Sequence, residues 1–447
     1  MKSARRGGVA ALAITALALT ACGGGDSGEQ SGDASSGDTE LTLWLAGSDT
    51  PDELRDYLVE TFEEQNPGAT LTIEEQDWTG LVPRLQTALA SEDQTPDLVE
   101  IGNTQSPTFT YAGAFSDITD LVPDLGGDQL LEGFVDAGTA DGKVYAVPYY
   151  SGARAVFYRK DLFAAAGVQV PTTLAEFGQA AQTLQAAGAP GTSSFSGFWF
   201  PGQDWYNGIA WVYTNGGDLA VQENGTWQGA LSSPESQKGL QQVQELFAKA
   251  TSAPRDADSN EPWVPFNNGE SAMFSAPTWA RWSIDLPECN KGVDPEDETE
   301  AGKALLAEQQ ACNEEKTGIF PLPGLSAGEP ASVFAGGSNI AIPAMSQNQE
   351  LARELLKIVF SPEYQQMLGE NGLIPGNTEY ASSLGDDVYS KAALDAAVNA
   401  KLTPAAEKWA DVEGSRILED FFQEIAGGAD LAQASAEADQ QITDALS

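Results

Sequence analysis

Histidine is missing from the 447-residue sequence, and its absence excludes several kinds of active site. Ser-His-Asp catalysis, Cys-His catalysis and zinc sites built on histidine all need an imidazole, which is also the usual general base. No P-loop occurs, and the glycine-rich stretch at 335–339 lacks the spacing of a dinucleotide fingerprint. The 66 acidic residues place carboxylate pairs at every separation by chance, so spacing gives no evidence for a glycosidase pair. We therefore expect no catalytic residues, no enzymatic activity and no cofactor.

One short segment imitates a metal site. DADSN at 256–260 resembles the start of a calcium-binding loop. Glu261, however, stands where such a loop has its turn glycine, and Asn267 stands where it has its bidentate glutamate. We therefore expect no metal site.

Basic residues are scarce. The chain has 22 lysine and arginine residues against 66 aspartate and glutamate residues, a formal net charge of −44. Nucleic acid and anionic lipid surfaces are therefore poor partners for this chain. Solubility is a sufficient reason for the acidic excess, and repulsion from an anionic cell envelope is the alternative.

Cysteine is also rare, with three residues, and Cys22 follows a distinctive N-terminal segment. Three basic residues within the first six are followed by an apolar run at 9–19, which is the pattern of a secretory signal. The run is shorter than the roughly 20 apolar residues of a spanning helix. The sequence LTAC ending at Cys22 matches a bacterial lipobox, which predicts removal of residues 1–21 and lipidation of Cys22. An uncleaved anchor or an ordinary signal with a chance cysteine is the alternative, and Sec and twin-arginine export both stay open.

Residues 22–40 are predicted to be a flexible tether, because residues 23–39 contain no large apolar side chain to bury. Removal of 21 of the 447 residues leaves 426, more than one hydrophobic core usually holds. We therefore expect two lobes after the tether.

The other two cysteines, Cys289 and Cys312, form an even pair in a chain that is predicted to be exported. This pattern predicts a disulfide. On the chain-entropy model, closing a loop of this length stabilises the fold by about 3 kcal/mol. The enclosed segment is polar and acidic, with a short helical pattern at 304–310. Two buried free thiols are the alternative.

Strand-like and helix-like segments alternate from residue 41 onward. LTLWL at 41–45 predicts a buried strand, and the following segment places apolar residues at Leu54, Leu58, Val59 and Phe62, which is a helical stripe. A second strand, a second helix and a third strand follow, and the alternation resumes between residues 145 and 230. This order is typical of an α/β fold with a largely parallel sheet. An isolated strand at 337–343 is predicted to complete an earlier sheet, and residues 345–447 are predicted to be almost wholly helical.

Tryptophan is abundant, with ten residues, and several stand beside small or polar residues. A sugar ring has a flat apolar face and a rim of hydroxyls, which indole rings and neighbouring polar side chains match. Core packing is the alternative for each tryptophan. The candidates for sugar contact are Trp199, Trp205, Trp279 and Trp282. We assign three others to packing or to the surface: Trp211, Trp227 and Trp263.

Four segments together resemble one known family. They are PDLVEIGNTQSPTFTYAGAFSDIT (96–119), GKVYAVPYYSGARAVFYRKDLFAAAG (142–167), GESAMFSAPTW (269–279) and GGSNIAIPAMSQNQELARELLKIVF (336–360). In this order, behind a lipobox and a tether, they are similar to the extracellular solute-binding proteins that serve ABC importers for sugars, the maltose-binding-like branch.

The resemblance implies a two-lobed periplasmic-binding-protein type II fold with a hinge and a helical C-terminal region. The first lobe is expected to contain residues 41–150 and 318–372, and the second residues 151–317 and 373–447. The lobes would close over a ligand that prefers the closed state.

The resemblance also implies a monomeric receptor that binds a mono- or oligosaccharide and delivers it to the permease subunits of an ABC importer. A lipid anchor would hold it on the outer face of the cell membrane, which fits a Gram-positive cell surface without an outer membrane. The alternatives are the same fold binding a polyamine, an oligopeptide or a polyol, and a surface enzyme acting on glycans.

The family's cleft positions can be carried onto this sequence, with Trp279 as the expected aromatic platform. Thr104 and Gln105 stand where some relatives carry a charged pair, so the identity of the sugar is left open. The expected ligand-binding residues are Trp44, Ser48, Asn103, Thr104, Gln105, Tyr149, Ser151, Arg154, Asp204, Trp205, Trp279, Gly337, Ser338 and Asn339.

Overall fold

The structure, a computed structural model, describes residues 39–78, 80–189, 191–192, 194–292, 299–397 and 399–447. The predicted signal peptide, Cys22 and nearly all of the predicted tether lie outside these residues. In the part of the chain that is described, no helix has the length and apolar character needed to cross a membrane.

The described residues contain an eight-stranded sheet and two small hairpin sheets. The strands are β1 (Thr39–Ala46), β2 (Ala69–Gln76), β3 (Leu98–Gly102), β4 (Thr139–Ala140), β5 (Lys143–Val144), β6 (Ala146–Arg159), β7 (Ala220–Glu223), β8 (Thr226–Gly229), β9 (Met273–Pro277), β10 (Thr317–Pro321), β11 (Ala335–Ala341) and β12 (Ile374–Pro375). β1 pairs in parallel with β2 and β3, and β11 pairs antiparallel with both β3 and β6. The isolated strand therefore completes the first sheet, as predicted.

Helices surround these strands. They are α1 (Asp52–Gln65), α2 (Leu81–Ala88), α3 (Ser106–Tyr111), α4 (Val122–Leu125), α5 (Glu132–Ala137), α6 (Lys160–Ala166), α7 (Leu174–Ala187), α8 (Trp205–Thr214), α9 (Pro234–Lys249), α10 (Trp263–Asn267), α11 (Glu300–Lys316), α12 (Gln349–Val359), α13 (Pro362–Glu370), α14 (Val388–Ala397), α15 (Trp409–Gly414), α16 (Ile417–Ala426) and α17 (Leu431–Ala445). Short 3-10 segments lie at Gly127–Gln129, Thr278–Ser283 and Thr378–Leu384.

Local sequence signals explain several of these helix boundaries. α7 begins with a capping box, in which the Thr173 hydroxyl accepts from the Glu176 amide while the Glu176 carboxylate accepts from the Thr172 amide. Ser233 caps α9, and Pro234 occupies the first helical position, where its missing N–H costs nothing. The predicted stripe of α1 is confirmed, since Leu54, Leu58 and Phe62 are fully buried.

One strand joins the two halves of the sheet. The first half of β6 pairs with β11 and β12, and its second half pairs with β9 and β10. The predicted alternation between residues 145 and 230 is only partly present, because β6 is followed by three helices before the hairpin of β7 and β8. Strands from later in the chain, β9 and β10, fill the second half of the sheet instead.

Two large hydrophobic cores lie on either side of the middle of β6. One contains Leu43, Tyr149 and Ile340, and the other contains Val156, Trp211 and Phe422. The segment with Phe320, Leu322, Val333 and Phe334 packs in the second of these cores, although the expected boundary assigned it to the first lobe. At its start this segment contains β10, which pairs with the second half of β6. That half of β6 lies beside the second core, which explains the placement.

A disulfide joins Cys289 and Cys312, as predicted, with their Cα atoms 5.5 Å apart. Cys312 lies on α11, which is longer than the predicted helical stretch. The Asn313 side chain donates to the Ile284 carbonyl and accepts from the Leu286 amide, at 2.7 and 3.1 Å. The disulfide and these bonds attach α11 to the segment that follows β9.

Candidate functional site

A cavity of about 420 Å³ lies where β6 passes between the two cores. Its volume is within the range of about 300–1,000 Å³ that is common for small-molecule sites. Several strands contribute residues to it. Gly102 ends β3 and is followed by Asn103 to Gln105, Gly336 to Ser338 belong to β11, and Trp279 follows β9. The start of α8 supplies Trp205 and Tyr206.

Aromatic rings form much of the cavity wall. Trp205 stacks on Tyr206 with ring centroids 3.8 Å apart, and Tyr206 also contacts Phe334 at 4.8 Å. Trp279 meets Trp263 edge-on at 5.7 Å. Trp205 is only 2% exposed, whereas Trp279 is half-buried and Trp263 is accessible as well. Trp279 and Trp263 therefore offer more ring surface to a ligand than Trp205 does.

Asp204 and Arg154 provide charge on this side of the cavity. Asp204 caps α8, because its carboxylate accepts from the backbone amide of Asn207 at 3.2 Å and from the Asn207 side chain at 2.6 Å. Burial raises the pKa of Asp204, and the nearby Arg154 partly offsets this. Burial lowers the pKa of Arg154, whose guanidinium lies 5.9 Å from the centroid of the Tyr206 ring.

A second polar network lies on the opposite wall. Tyr150 donates its hydroxyl to Glu100 at 3.1 Å and lies 3.2 Å from Asp49, which also accepts from the Trp78 indole at 3.1 Å. Burial raises the pKa of Glu100 to about 7 and also raises the pKa of Asp49. Asp49 and Trp78 line the cavity, whereas Glu100 lies behind them. This wall therefore presents a carboxylate and an indole that are held in place by neighbours.

Thr104 and Gln105 are bound by a residue far away in the sequence. Both donate to one oxygen of Glu413 on α15, Thr104 at 3.0 Å, while the other oxygen accepts from the Trp409 indole at 2.9 Å. Burial raises the pKa of Glu413 to about 7. These bonds tie the end of β3 to the C-terminal helices.

Nine of the fourteen expected ligand-binding residues line the cavity. They are Asn103, Thr104, Gln105, Arg154, Asp204, Trp205, Trp279, Gly337 and Ser338. The backbone of Gly337 has φ of 131°, and a Cβ there would lie 2.3 Å from the Tyr150 carbonyl oxygen. Only glycine allows β11 to approach β6 so closely at this point.

The remaining five lie outside the cavity. Trp44 belongs to a small core with Leu81 and Leu85, and Ser48 is exposed. The structure places the other three in buried hydrogen bonds: Tyr149 with Tyr364 at 2.5 Å, Ser151 with the Gly336 carbonyl at 3.2 Å, and Asn339 with the Phe134 carbonyl at 2.8 Å.

Several cavity residues lie outside the set predicted from sequence. The sequence favours packing or the surface for Trp263, and it gives no prediction for Asp49, Trp78, Tyr206 or Glu419. Strand alternation offers a signal for Tyr150, because Tyr150, Gly152 and Arg154 share one face of β6 and all line the cavity. Nothing in the local sequence marks Glu419, which reaches the cavity from α16.

Known proteins support a family assignment. The family described as bacterial extracellular solute-binding protein matches residues 47–366. The diacetylchitobiose binding protein DasA of Streptomyces coelicolor is 32% identical over 414 residues, 91% of this chain and 90% of the relative.

Solved structures agree on the fold. The GacH receptor of Streptomyces glaucescens has a TM-score of 0.73 at 20% identity, over 92% of this chain and 98% of that one. The sugar-binding protein MalE of Xanthomonas citri has a TM-score of 0.72 at 24% identity, over 91% and 97%. The predicted two-lobed α/β fold is therefore confirmed, and the chain belongs to the family of bacterial extracellular solute-binding proteins.

Proposed function

We propose that this chain is a non-catalytic receptor that binds a mono- or oligosaccharide in the cavity at β6 and delivers it to an ABC-type importer. The observation that carries the proposal is the combination of exposed indole faces with fixed polar side chains around one cavity. Trp279 and Trp263 offer flat apolar surface, and Asp49, Arg154 and Asp204 offer directional hydrogen bonds. A sugar ring needs both kinds of contact.

The relatives support a carbohydrate ligand. DasA is named for diacetylchitobiose, and the GacH receptor is described in complex with acarbose. Because these ligands differ from each other, they support the class of ligand and not one particular sugar for this chain.

We further propose the lobe boundaries. Residues 41–150 and 335–372 form the first lobe, and residues 151–334 and 373–447 form the second. The distribution of side chains between the two large cores supports this division, with the segment around Phe320 and Val333 moved to the second lobe. β6 and β11 would then carry the hinge beside the cavity.

The N-terminal pattern supports the rest of the proposal. A lipid on Cys22 and a tether over residues 22–40 would hold a monomeric receptor near its importer, on the outer face of the cell membrane. A surface without an outer membrane, as in Gram-positive bacteria, is the setting in which such an anchor is needed.

The test is a ligand screen followed by a matched pair of variants. The mature protein is heated with monosaccharides, N,N′-diacetylchitobiose, maltose, spermidine and a tripeptide, because a bound ligand raises the melting temperature by mass action. Trp279→Ala should weaken binding of the stabilising sugar at least about tenfold, since it removes one ring contact. Trp227→Ala, on the hairpin of β7 and β8, is the control and should bind normally.

Three results would count against the proposal. A melting shift with spermidine or the tripeptide and none with any sugar would favour a non-sugar ligand. A folded Trp279→Ala protein with unchanged affinity would remove Trp279 from the site. Sugar recovered in cleaved form after incubation would point to an enzyme acting on glycans.

A further inference from the structure

A second cavity, of about 530 Å³, lies beside the first and shares a wall with it. Trp263 lines both cavities, and it packs edge-on against Trp279 of the first. The 3-10 segment Thr278–Ser283 presents Trp279 to the first cavity and Arg281 and Trp282 to the second. The two cavities therefore share Trp263, and the same 3-10 segment adds a further tryptophan to each, Trp279 to the first and Trp282 to the second.

Trp282 provides an accessible aromatic face at the second cavity. It is 50% exposed, and the Arg281 guanidinium lies 4.3 Å from its ring centroid. Arg281 is itself fixed, because it donates to Asp387 at 3.0 Å and lies over the Tyr389 ring at 5.4 Å. A single exposed tryptophan is common on protein surfaces, but this one is supported from behind and borders a cavity.

The cavity wall is preformed by bonds within the protein. The Asp285 carboxylate accepts from Asn290 at 2.7 Å and from Gln309 at 3.2 Å, and the Asp285 amide donates to Asn267 at 3.0 Å. The Cys289–Cys312 disulfide fastens α11 to the same wall. A ligand would therefore bind without the cost of ordering these side chains.

Charge argues for a neutral ligand. Arg281 is paired with Asp387, and the cavity is also lined by Asp285 and Glu314, so no uncompensated cation attracts an anion. An aromatic face beside polar side chains, with Arg281 already paired, is a surface that suits a neutral glycan.

We infer that the second cavity is an outer carbohydrate subsite, which holds the distal rings of an oligosaccharide whose other end occupies the cavity at β6. This inference rests on the proposed function. On this inference the disulfide-linked segment forms one wall of the outer subsite, and contact with that wall distinguishes long oligosaccharides from short ones. Short sugars would occupy only the first cavity, whereas longer chains would cross Trp263 and stack on Trp282.

The test compares a disaccharide and a pentasaccharide of the same series by calorimetry, using chitin oligosaccharides and, separately, malto-oligosaccharides. The wild-type protein should bind one pentasaccharide at least about tenfold more tightly than its disaccharide, the gain expected of one added ring contact. Trp282→Ala should abolish that gain and leave the affinity for the disaccharide unchanged. Tyr111→Ala, which removes another exposed ring outside both cavities, should behave like the wild type.

The outcomes separate the two proposals. If the wild type binds both lengths and Trp282→Ala loses nothing, the outer subsite is refuted while the sugar receptor stands. If the wild type binds neither series and no other sugar in the screen, the proposed function fails and the subsite fails with it. Circular dichroism and the melting temperature of Trp282→Ala verify that the variant is folded.

Discussion

Glu413 allows a quantitative test of the contact between the end of β3 and the C-terminal helices. Its carboxylate is buried and accepts hydrogen bonds from Thr104, Gln105 and Trp409. Burial outweighs these bonds and raises the pKa from its usual 4.5 to about 7. Glu413→Gln keeps the shape of the protonated side chain and removes the charge.

The sign of the pH effect follows from proton binding. Between pH 4.5 and 7 the folded protein retains the proton of Glu413, whereas the unfolded chain has lost it. The free energy of unfolding therefore decreases as the pH rises through this window and levels off above pH 7. For a pKa shift of this size, the loss from Glu413 between pH 5 and pH 8 is on the order of 2 to 3 kcal/mol.

Urea unfolding of the wild type and of Glu413→Gln at pH 5 and pH 8 measures this loss. Between pH 5 and pH 8, the unfolding free energy of the variant should rise relative to that of the wild type by roughly 2 to 3 kcal/mol. Glu100, whose pKa is also raised to about 7, contributes equally to both proteins and cancels in the comparison. Glu407→Gln, an exposed position just before the same helix, should show no such gain.

The reasoning is refuted if the unfolding free energies of Glu413→Gln and the wild type differ by the same amount at pH 5 and pH 8. It would mean that the carboxylate is as well solvated in the folded protein as in the unfolded chain. The contact between Thr104, Gln105 and Glu413 would then be open in solution.

Two further predictions concern stability. Replacing Cys289 and Cys312 together by serine should lower the unfolding free energy by about 3 kcal/mol in urea, and a reductant should then have no further effect on the variant. Gly337→Ala should lower the free energy of unfolding by at least about 2 kcal/mol. The substitution combines a strained φ with a Cβ too close to the Tyr150 carbonyl oxygen. Gly178→Ala, inside α7 with open space around the new Cβ, should instead raise the free energy of unfolding by about 0.5–1 kcal/mol. Equal effects of the two glycine substitutions on stability would contradict this account.

The sequence predicts local structure well in this chain. The stripe of α1, the buried strand at β1, the isolated strand at β11 and the disulfide are all confirmed, because each depends on a short-range period or on residue type. The family can also be recognised from the sequence, since the resemblance rests on segments spread over most of the chain.

The binding-site prediction was less complete, and β6 shows why. Side chains alternate along a strand, so Tyr149 and Ser151 face away from the side that carries Tyr150, Gly152 and Arg154. Both faces of β6 contain aromatic and polar residues, so residue type does not distinguish the face that lines the cavity from the other. Which face meets the cavity is decided by β11, β12, β9 and β10, which pair with β6 from distant parts of the chain.

The sequence by itself determined the stripe of α1, the strands β1 and β11, the paired cysteines and the family of this protein. Tertiary structure alone decided that Trp263 borders two cavities, that Glu413 holds Thr104 and Gln105, and that the segment around Phe320 joins the second core. Local patterns arise from the backbone period and from nearest neighbours. Contacts between residues separated by more than a hundred positions depend instead on how whole elements pack, which no short stretch of sequence encodes.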